Sequence, residues 1–170
     1  MIYLGLDAST TKTGYAIFDD DKLIEYGVIS SDKKDWRKRI LAIAHELCKL
    51  IRNSKIEFIV VEDVPIIGGR VTSAKILGVV QGMVLTIASA MKVPIEFIPV
   101  TTWRSLMGLF DGTRKGVSRE EMKRKSIELA NKLFGLQLNW YSPSSTKNDD
   151  DISDAILIAY SYIKGKIKGF

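Results

Sequence analysis

The chain opens on two short apolar runs with an acid between them. Ile2 to Leu6 is an apolar stretch typical of a buried strand, and Asp7 ends it. Small polar residues follow, and Thr13 to Phe18 then predicts a second strand, so the two runs form a hairpin. A carboxylate at the end of a core strand is costly to bury without a partner. We therefore expect Asp7 to bind a metal ion or to face a cleft.

The rest of the chain alternates strands and helices after this hairpin. Leu23 to Ser30 predicts a third strand, which completes an antiparallel meander. Apolar patterns predict two more strands, at 56–62 and 94–100, and helices at 32–53, 72–91, 101–109, 118–134 and 149–164. This order favours an α/β fold with a five-stranded mixed sheet and helices on both faces.

Composition excludes several classes of protein. The 170 residues suit a single domain. His45 and Cys48 are the only residues of their types, which excludes a disulfide framework and a site rich in cysteine or histidine. A net charge of +5 mildly favours a polyanionic partner. We see no signal peptide and no apolar run approaching the roughly 18 residues of a membrane span, so we expect a cytoplasmic protein without a membrane partner.

Four acids are notable for their positions. Asp7 and Glu62 each end a predicted strand, and if these strands are parallel neighbours the two acids lie side by side. Asp151 and Asp154 are three residues apart on the last helix and share one of its faces. A helix crossing that sheet edge would bring all four together. Oxygen-only ligands select Mg²⁺ or Mn²⁺, and two such ions can clamp a phosphodiester and activate water.

Each acid also has a simpler explanation. Acids at the start of the last helix could cap it and interact with its dipole, which is the interpretation we prefer for Asp149 and Asp150. Glu62 could be a solvated strand end, as we expect for Asp63. The convergence of one sheet edge and one helix favours the metal site over these separate explanations.

Four segments resemble the RuvC-type Holliday-junction resolvases of the RNase H-like superfamily. They are LGLDASTTKTGYAIF, IVVED, SAKILGVVQGMVL and DDISDAILIA. The resemblance implies one RNase H-like nuclease domain over residues 1–170, dependent on Mg²⁺ with Mn²⁺ as a substitute. It implies paired symmetric nicking of four-way DNA junctions by a homodimer, with the helix around Gly78 and Gly82 at the dimer contact. It also makes metal ligands of Asp7, Glu62, Asp151 and Asp154.

The resemblance also suggests where DNA binds. Basic residues expected to contact DNA are Arg70, Arg104, Arg114, Lys115, Arg119 and Lys123. Bacterial members often place an aromatic residue just after the strand-four acid, whereas this chain has Pro65-Ile66-Ile67-Gly68-Gly69-Arg70. Junction selectivity is then expected to be relaxed, with Ile66 or Ile67 as an apolar wedge between bases.

Three other functions fit parts of the pattern. The same acids could serve a broader nuclease that cuts forks, flaps or RNA–DNA hybrids. The first hairpin also resembles the phosphate loop of sugar kinases and actin-like ATPases, but those need two such domains. A non-catalytic junction-binding protein could keep the fold, although the presence of all four acids argues against it.

Overall fold

The computed structural model describes residues 1–63, 71–110 and 116–168, with side chains at 71–73 and 166–168 left out of the description. The predicted wedge residues Ile66 and Ile67 lie outside the described residues, as do Arg70, Arg114 and Lys115. The strands are β1 (Ile2–Asp7), β2 (Lys12–Asp19), β3 (Lys22–Ser30), β4 (Phe58–Asp63) and β5 (Ile95–Pro99). The helices are α1 (Trp36–Asn53), α2 (Val71–Met91), α3 (Val100–Leu106), α4 (Arg119–Phe134) and α5 (Asp150–Lys168).

The strands form one five-stranded sheet in the order β3-β2-β1-β4-β5. Strands β1, β2 and β3 pair antiparallel, whereas β4 is parallel to both β1 and β5. The predicted mixed sheet of an α/β fold is therefore confirmed. Strands β1 and β4 lie at its centre, with helices connecting the parallel part.

Side chains alternate between the two faces of the sheet, as the pleat requires. Leu4, Leu6 and Val61 belong to the core cluster beneath α1 and α2. Tyr3 packs on the opposite face, against α5, and Val60 lies on that face near α3, α4 and α5. Asp7 has the parity of Tyr3, and Glu62 has that of Val60. The alternation therefore sends both acids toward the face that α5 covers.

Helix α5 approaches the sheet unusually closely because two strand positions are glycine. A Cβ at Gly5 would lie 2.4 Å from the carbonyl oxygen of Ala155. A Cβ at Gly14 would lie 1.9 Å from the carbonyl oxygen of Asp151. Any larger residue would push the helix away. These glycines therefore determine how near the first turns of α5 lie to the ends of β1 and β2.

Capping residues set the starts of two helices. The carboxylate of Asp35 accepts hydrogen bonds from the backbone N–H groups of Arg37 and Lys38, at 2.9 and 3.1 Å. Helix α1 consequently starts at Trp36, later than the predicted start at residue 32. The hydroxyl of Ser118 accepts from the backbone N–H of Glu121 at 3.2 Å and so caps the start of α4.

Helix α2 is long and apolar, although polar residues interrupt its apolar run as expected from the sequence. The 18 residues Ala74–Met91 have a mean hydropathy of 1.6, enough to cross a membrane by length and composition alone. Lys75 is the only charged residue among them, since glycine, serine, threonine and glutamine interrupt the apolar run without adding charge. One side of the helix packs Val80, Val84 and Ala88 into the core. A core helix passes the same test, so this one helix is weak evidence for a membrane span.

Candidate active site

The carboxyl ends of β1 and β4 place Asp7 and Glu62 side by side. The last paired residues of these parallel strands are Leu6 and Val61. Asp7 and Glu62 are the next residues of the two strands, and both turn toward α5. The expected parallel pairing of the first and fourth strands is confirmed, and one end of the sheet carries both acids.

The first turns of α5 bring two more acids to this end of the sheet. Asp151 is partly buried and Asp154 is only 9% exposed. One carboxylate oxygen of Asp154, Oδ1, is buried without a hydrogen-bond partner. The other, Oδ2, lies 3.9 Å from Nη2 of Arg104 on α3. Asp154 is thus a buried carboxylate whose polar groups are only partly satisfied.

The environment of Asp7 disfavours its charged form. Burial is the largest cause and raises the pKa of Asp7 well above its usual value. Repulsion from Asp154, Glu62, Asp151 and Asp150, in that order, raises this pKa further. These carboxylates therefore interact electrostatically, although they come from three separate parts of the chain.

Glu62 is held between opposing influences. Burial raises its pKa. The main opposing effect is a hydrogen bond in which Nε1 of Trp103 donates to Oε2 of Glu62 at 2.8 Å, and the guanidinium of Arg104 also lowers the pKa. The indole therefore favours the ionised form of Glu62 by solvating one of its oxygens.

The two acids of α5 follow the same rule. Burial raises the pKa of Asp151, and the nearby Lys12 and Lys123 partly offset this rise. Burial raises the pKa of Asp154 to about 7, against the opposing charge of Arg104. The Ser126 hydroxyl also lowers this pKa, although neither Ser126 Oγ nor Asp154 Oδ1 makes a hydrogen bond of standard geometry. All four predicted ligands thus have raised pKa values in the described structure.

The donor set suits a hard divalent cation. Among the described residues, no three acidic, histidine or cysteine side chains come close enough together to hold a single ion. The four acids are nevertheless at least partly buried and their charges interact unfavourably, and one oxygen of Asp154 lacks a hydrogen-bond partner among the described residues. Such a group is relieved by a cation, and its oxygen-only chemistry fits Mg²⁺ or Mn²⁺. That the four acids share ions stays a prediction.

Three of the basic residues predicted to contact DNA lie within the described structure. Arg104 lies beside Asp154, and Arg119 is exposed at the start of α4. Lys123, whose contact with DNA stays a prediction, forms an ion pair with Asp150. That pair places a positive charge next to the acid cluster.

Sequence patterns missed several interactions around the site. Lys12 Nζ donates to the carbonyl oxygen of Thr146 at 2.6 Å, which ties the first hairpin to the segment before α5. Asp149, which we expected to cap α5, accepts from the backbone N–H of Asn139 at 2.7 Å. The only sequence signal for the Lys12 contact was that Lys12 follows Asp7 by five residues and so lies near the candidate site. The Trp103–Glu62 hydrogen bond, across 41 residues, had none.

A mixed five-stranded sheet with acids at the ends of its two central strands, covered by a helix that carries two more, defines an RNase H-like protein. The family model described as "Crossover junction endodeoxyribonuclease RuvC" matches residues 3–162. The chain therefore belongs to the RuvC family and is a crossover junction endodeoxyribonuclease.

Solved structures share this fold at low sequence identity. Thermus thermophilus RuvC in complex with a Holliday junction substrate has a TM-score of 0.72 at 18% identity, covering 99% of this chain and 96% of that one. The Fowlpox virus resolvase, in a complex with substrate Holliday junction DNA, has a TM-score of 0.63 at 15% identity, with coverages of 98% and 99%. The yeast mitochondrial Holliday junction resolvase has a TM-score of 0.60 at 16% identity, covering 98% of this chain and 79% of that one. The chain matches no curated protein sequence.

Proposed function

We propose that this chain resolves four-way DNA junctions by paired symmetric nicking that depends on Mg²⁺. Family membership supports the reaction class, and two structural neighbours are complexes with Holliday junction DNA. The observation that carries the proposal is the placement of Asp7 beside Glu62 at the ends of β1 and β4, with Asp154 of α5 acting electrostatically on both.

Each acid has a defined part in this proposal. Asp7, Glu62, Asp151 and Asp154 hold Mg²⁺, and Mn²⁺ substitutes for it. When bound, such ions polarise the scissile phosphodiester and make a water molecule more acidic. Arg104 supplies a positive charge beside Asp154 and can also approach a phosphate.

The DNA is held mainly through its phosphates. Arg104 and Arg119 are the described candidates, and the net charge of +5 favours the same partner. Lys123 is a further proposed phosphate contact, and its ammonium also pairs with Asp150. The remaining proposed contacts are Arg70, Arg114 and Lys115.

The proposal extends to assembly and location. We infer that residues 1–170 form a single nuclease domain, that it works in the cytoplasm, and that two copies pair through α2. Gly78 and Gly82 lie exposed on α2, and no described atom lies within 4 Å of where their Cβ atoms would be. Val79 and Leu85 of the same helix are 40% and 50% exposed. A second copy would cover this apolar surface.

A labelled four-way junction incubated with the protein and Mg²⁺ tests the proposal. The parent protein should make paired symmetric nicks, whereas Asp7→Asn should bind the junction without cutting it. Asp21→Asn is the matched control, because Asp21 lies in the exposed turn between β2 and β3 and loses the same charge. Equal cleavage by the parent and Asp7→Asn would contradict the assignment of Asp7.

Substrate comparison separates the alternative functions. A three-way fork and an RNA–DNA hybrid duplex, cut as fast as the junction, would favour a broader nuclease. If neither Mg²⁺ nor Mn²⁺ stabilised the protein against heat, a non-catalytic junction-binding protein would fit better.

A further inference from the structure

A hydrogen bond from Trp103 connects the hydrophobic core with the candidate active site. Nε1 of Trp103 donates to Oε2 of Glu62 at 2.8 Å. The Trp103 side chain is 0% exposed and packs in a cluster with Ile98, Leu157 and Ile158. A buried indole N–H needs an acceptor, and Trp103 has a single donor to offer. The Glu62 carboxylate is that acceptor.

This contact restricts a side chain that would otherwise be mobile. A glutamate has several rotatable bonds, and ordering it for a ligand costs conformational entropy. The Trp103 ring cannot follow a moving carboxylate, because core side chains surround it. Its N–H therefore restricts the position of Oε2 before any cation binds.

Helix α3 also reaches a second acid through the next residue. The Arg104 guanidinium lies 5.0 Å from the centre of the Trp103 ring and 3.9 Å from Oδ2 of Asp154. Consecutive residues of one seven-residue helix thus contact acids on β4 and on α5. The position of α3 controls both carboxylates.

We propose that Trp103 is a positioning residue for the divalent-cation site, which orients Glu62 through its indole N–H. This inference rests on the proposed function, because it assumes that Glu62 is a metal ligand. Hydrogen bonds to metal ligands from neighbouring groups commonly contribute about 10- to 100-fold to metal affinity or activity. The indole N–H therefore acts on cation binding, whereas the indole ring acts on stability.

Trp103→Phe removes the N–H and keeps an aromatic ring in the core. Leu129→Ala is the matched control, because Leu129 packs against the same cluster from α4 but has no contact with Glu62 among the described hydrogen bonds. Calorimetric titration with Mn²⁺ should show a dissociation constant about tenfold higher for Trp103→Phe. The control should bind Mn²⁺ like the parent. The Mg²⁺ concentration for half-maximal cleavage should rise for Trp103→Phe, while junction affinity without metal stays unchanged.

A second measurement needs no change at Trp103. The chain has 3 tryptophans, so Trp36→Phe with Trp140→Phe leaves Trp103 as the only indole. Mg²⁺ should then change its fluorescence, because neutralising Glu62 alters the charge next to Nε1. The positioning role would be overturned if Trp103→Phe and Leu129→Ala bound Mn²⁺ with equal affinity. It would also be overturned if Mg²⁺ did not change the fluorescence of Trp103.

The two proposals fail in different ways. A parent protein that binds Mn²⁺ tightly but nicks no junction contradicts the proposed function, and weaker Mn²⁺ binding by Trp103→Phe would still support the positioning role. A parent that binds no Mn²⁺ overturns both.

Discussion

In the absence of a cation, the acids of the candidate site are expected to lower the free energy of unfolding. Asp7 is half-buried and Asp154 is buried, both lie near other carboxylates, and desolvation raises the pKa of each. A stable core would replace such groups with apolar side chains, because uncompensated buried charge is unfavourable. The proposed cation would supply the missing positive charge at this end of the sheet. Arg104 supplies only part of it, at 3.9 Å from Asp154.

Removing the charge of Asp154 should therefore stabilise the metal-free protein at high pH. The pKa of Asp154 is raised from 3.8 to about 7 on folding. Between these values the folded state binds more protons than the unfolded state, so this contribution to stability is complete below about pH 4 and is lost as pH rises through 7. In EDTA, Asp154→Asn should have a higher Tm than the parent at pH 8 and a similar Tm at pH 4. A gain of about 1 kcal/mol would raise Tm by about 2–4 °C.

Mg²⁺ should reverse this difference. The parent gains stability by binding the cation, whereas Asp154→Asn has lost a ligand. Asp21→Asn, in an exposed turn, controls for the change in net charge and should follow the parent. A parent more stable than Asp154→Asn at pH 8 in EDTA would show that the Asp154 charge is already compensated.

At the scale of elements, the contact between α5 and the first hairpin determines the site. The carbonyl oxygen of Asp151 occupies the space where Gly14 would carry a Cβ, and Ala155 does the same at Gly5. The glycines of the sheet thus bring the helix, with Asp151 and Asp154, against the strand that ends in Asp7. The geometry of the candidate site therefore depends on backbone contacts at Gly5 and Gly14.

Gly14→Ala should damage both stability and cleavage. The added methyl group would lie 1.9 Å from a backbone oxygen that no side-chain rotation can move. Overpacking of this kind costs about 1–3 kcal/mol or more, and the displaced helix should carry Asp151 away from Asp7. Urea unfolding and cleavage rates measured well below the unfolding midpoint check the two effects.

Gly27→Ala is the matched control on the neighbouring strand. Its added methyl group would meet the Tyr15 ring at 2.9 Å, and that side chain can rotate away. Junction cleavage should therefore survive in Gly27→Ala. Equal cleavage losses in the two variants would indicate that the sheet, rather than the approach of α5, is responsible.

The same elements show what the sequence could predict. Strand periodicity was sufficient to place Asp7 and Glu62 at strand ends, whereas their lying side by side depended on the assumption, confirmed by the structure, that β1 and β4 are parallel neighbours. The spacing of Asp151 and Asp154 was sufficient to place both on one helix face. The Trp103–Glu62 hydrogen bond and the Lys123–Asp150 pair depend on how α3 and α4 lie against β4 and α5. That placement is tertiary, and no local pattern encodes it.

At the scale of the molecule, the two faces of the sheet have different tasks. Helices α4 and α5 cover the face that carries the acids, and α2 covers the other face while exposing part of its own apolar surface. A hydrogen bond connects α2 with β4, in which Nε2 of Gln81 donates to the Glu62 carbonyl oxygen at 3.5 Å. A second copy docked on α2 would lie on the side of the sheet opposite the acids. Such a two-fold pair suits a substrate that is cut at two symmetric positions.

Leu85→Glu should separate the two copies and uncouple their cuts. Leu85 is 50% exposed on α2. In the proposed two-fold interface, a carboxylate at this position would be buried between the two copies, which is unfavourable. Leu133→Glu is the matched control, because Leu133 is 43% exposed on α4, on the other face of the sheet. Sedimentation should show the parent and Leu133→Glu at twice the 19.0 kDa chain mass, and Leu85→Glu at the mass of one chain. On a supercoiled plasmid that extrudes a four-way junction, Leu85→Glu should yield nicked circles where the parent yields linear product. A parent that sediments as one chain yet still linearises the plasmid would contradict pairing through α2, because both cuts would then come from separate encounters.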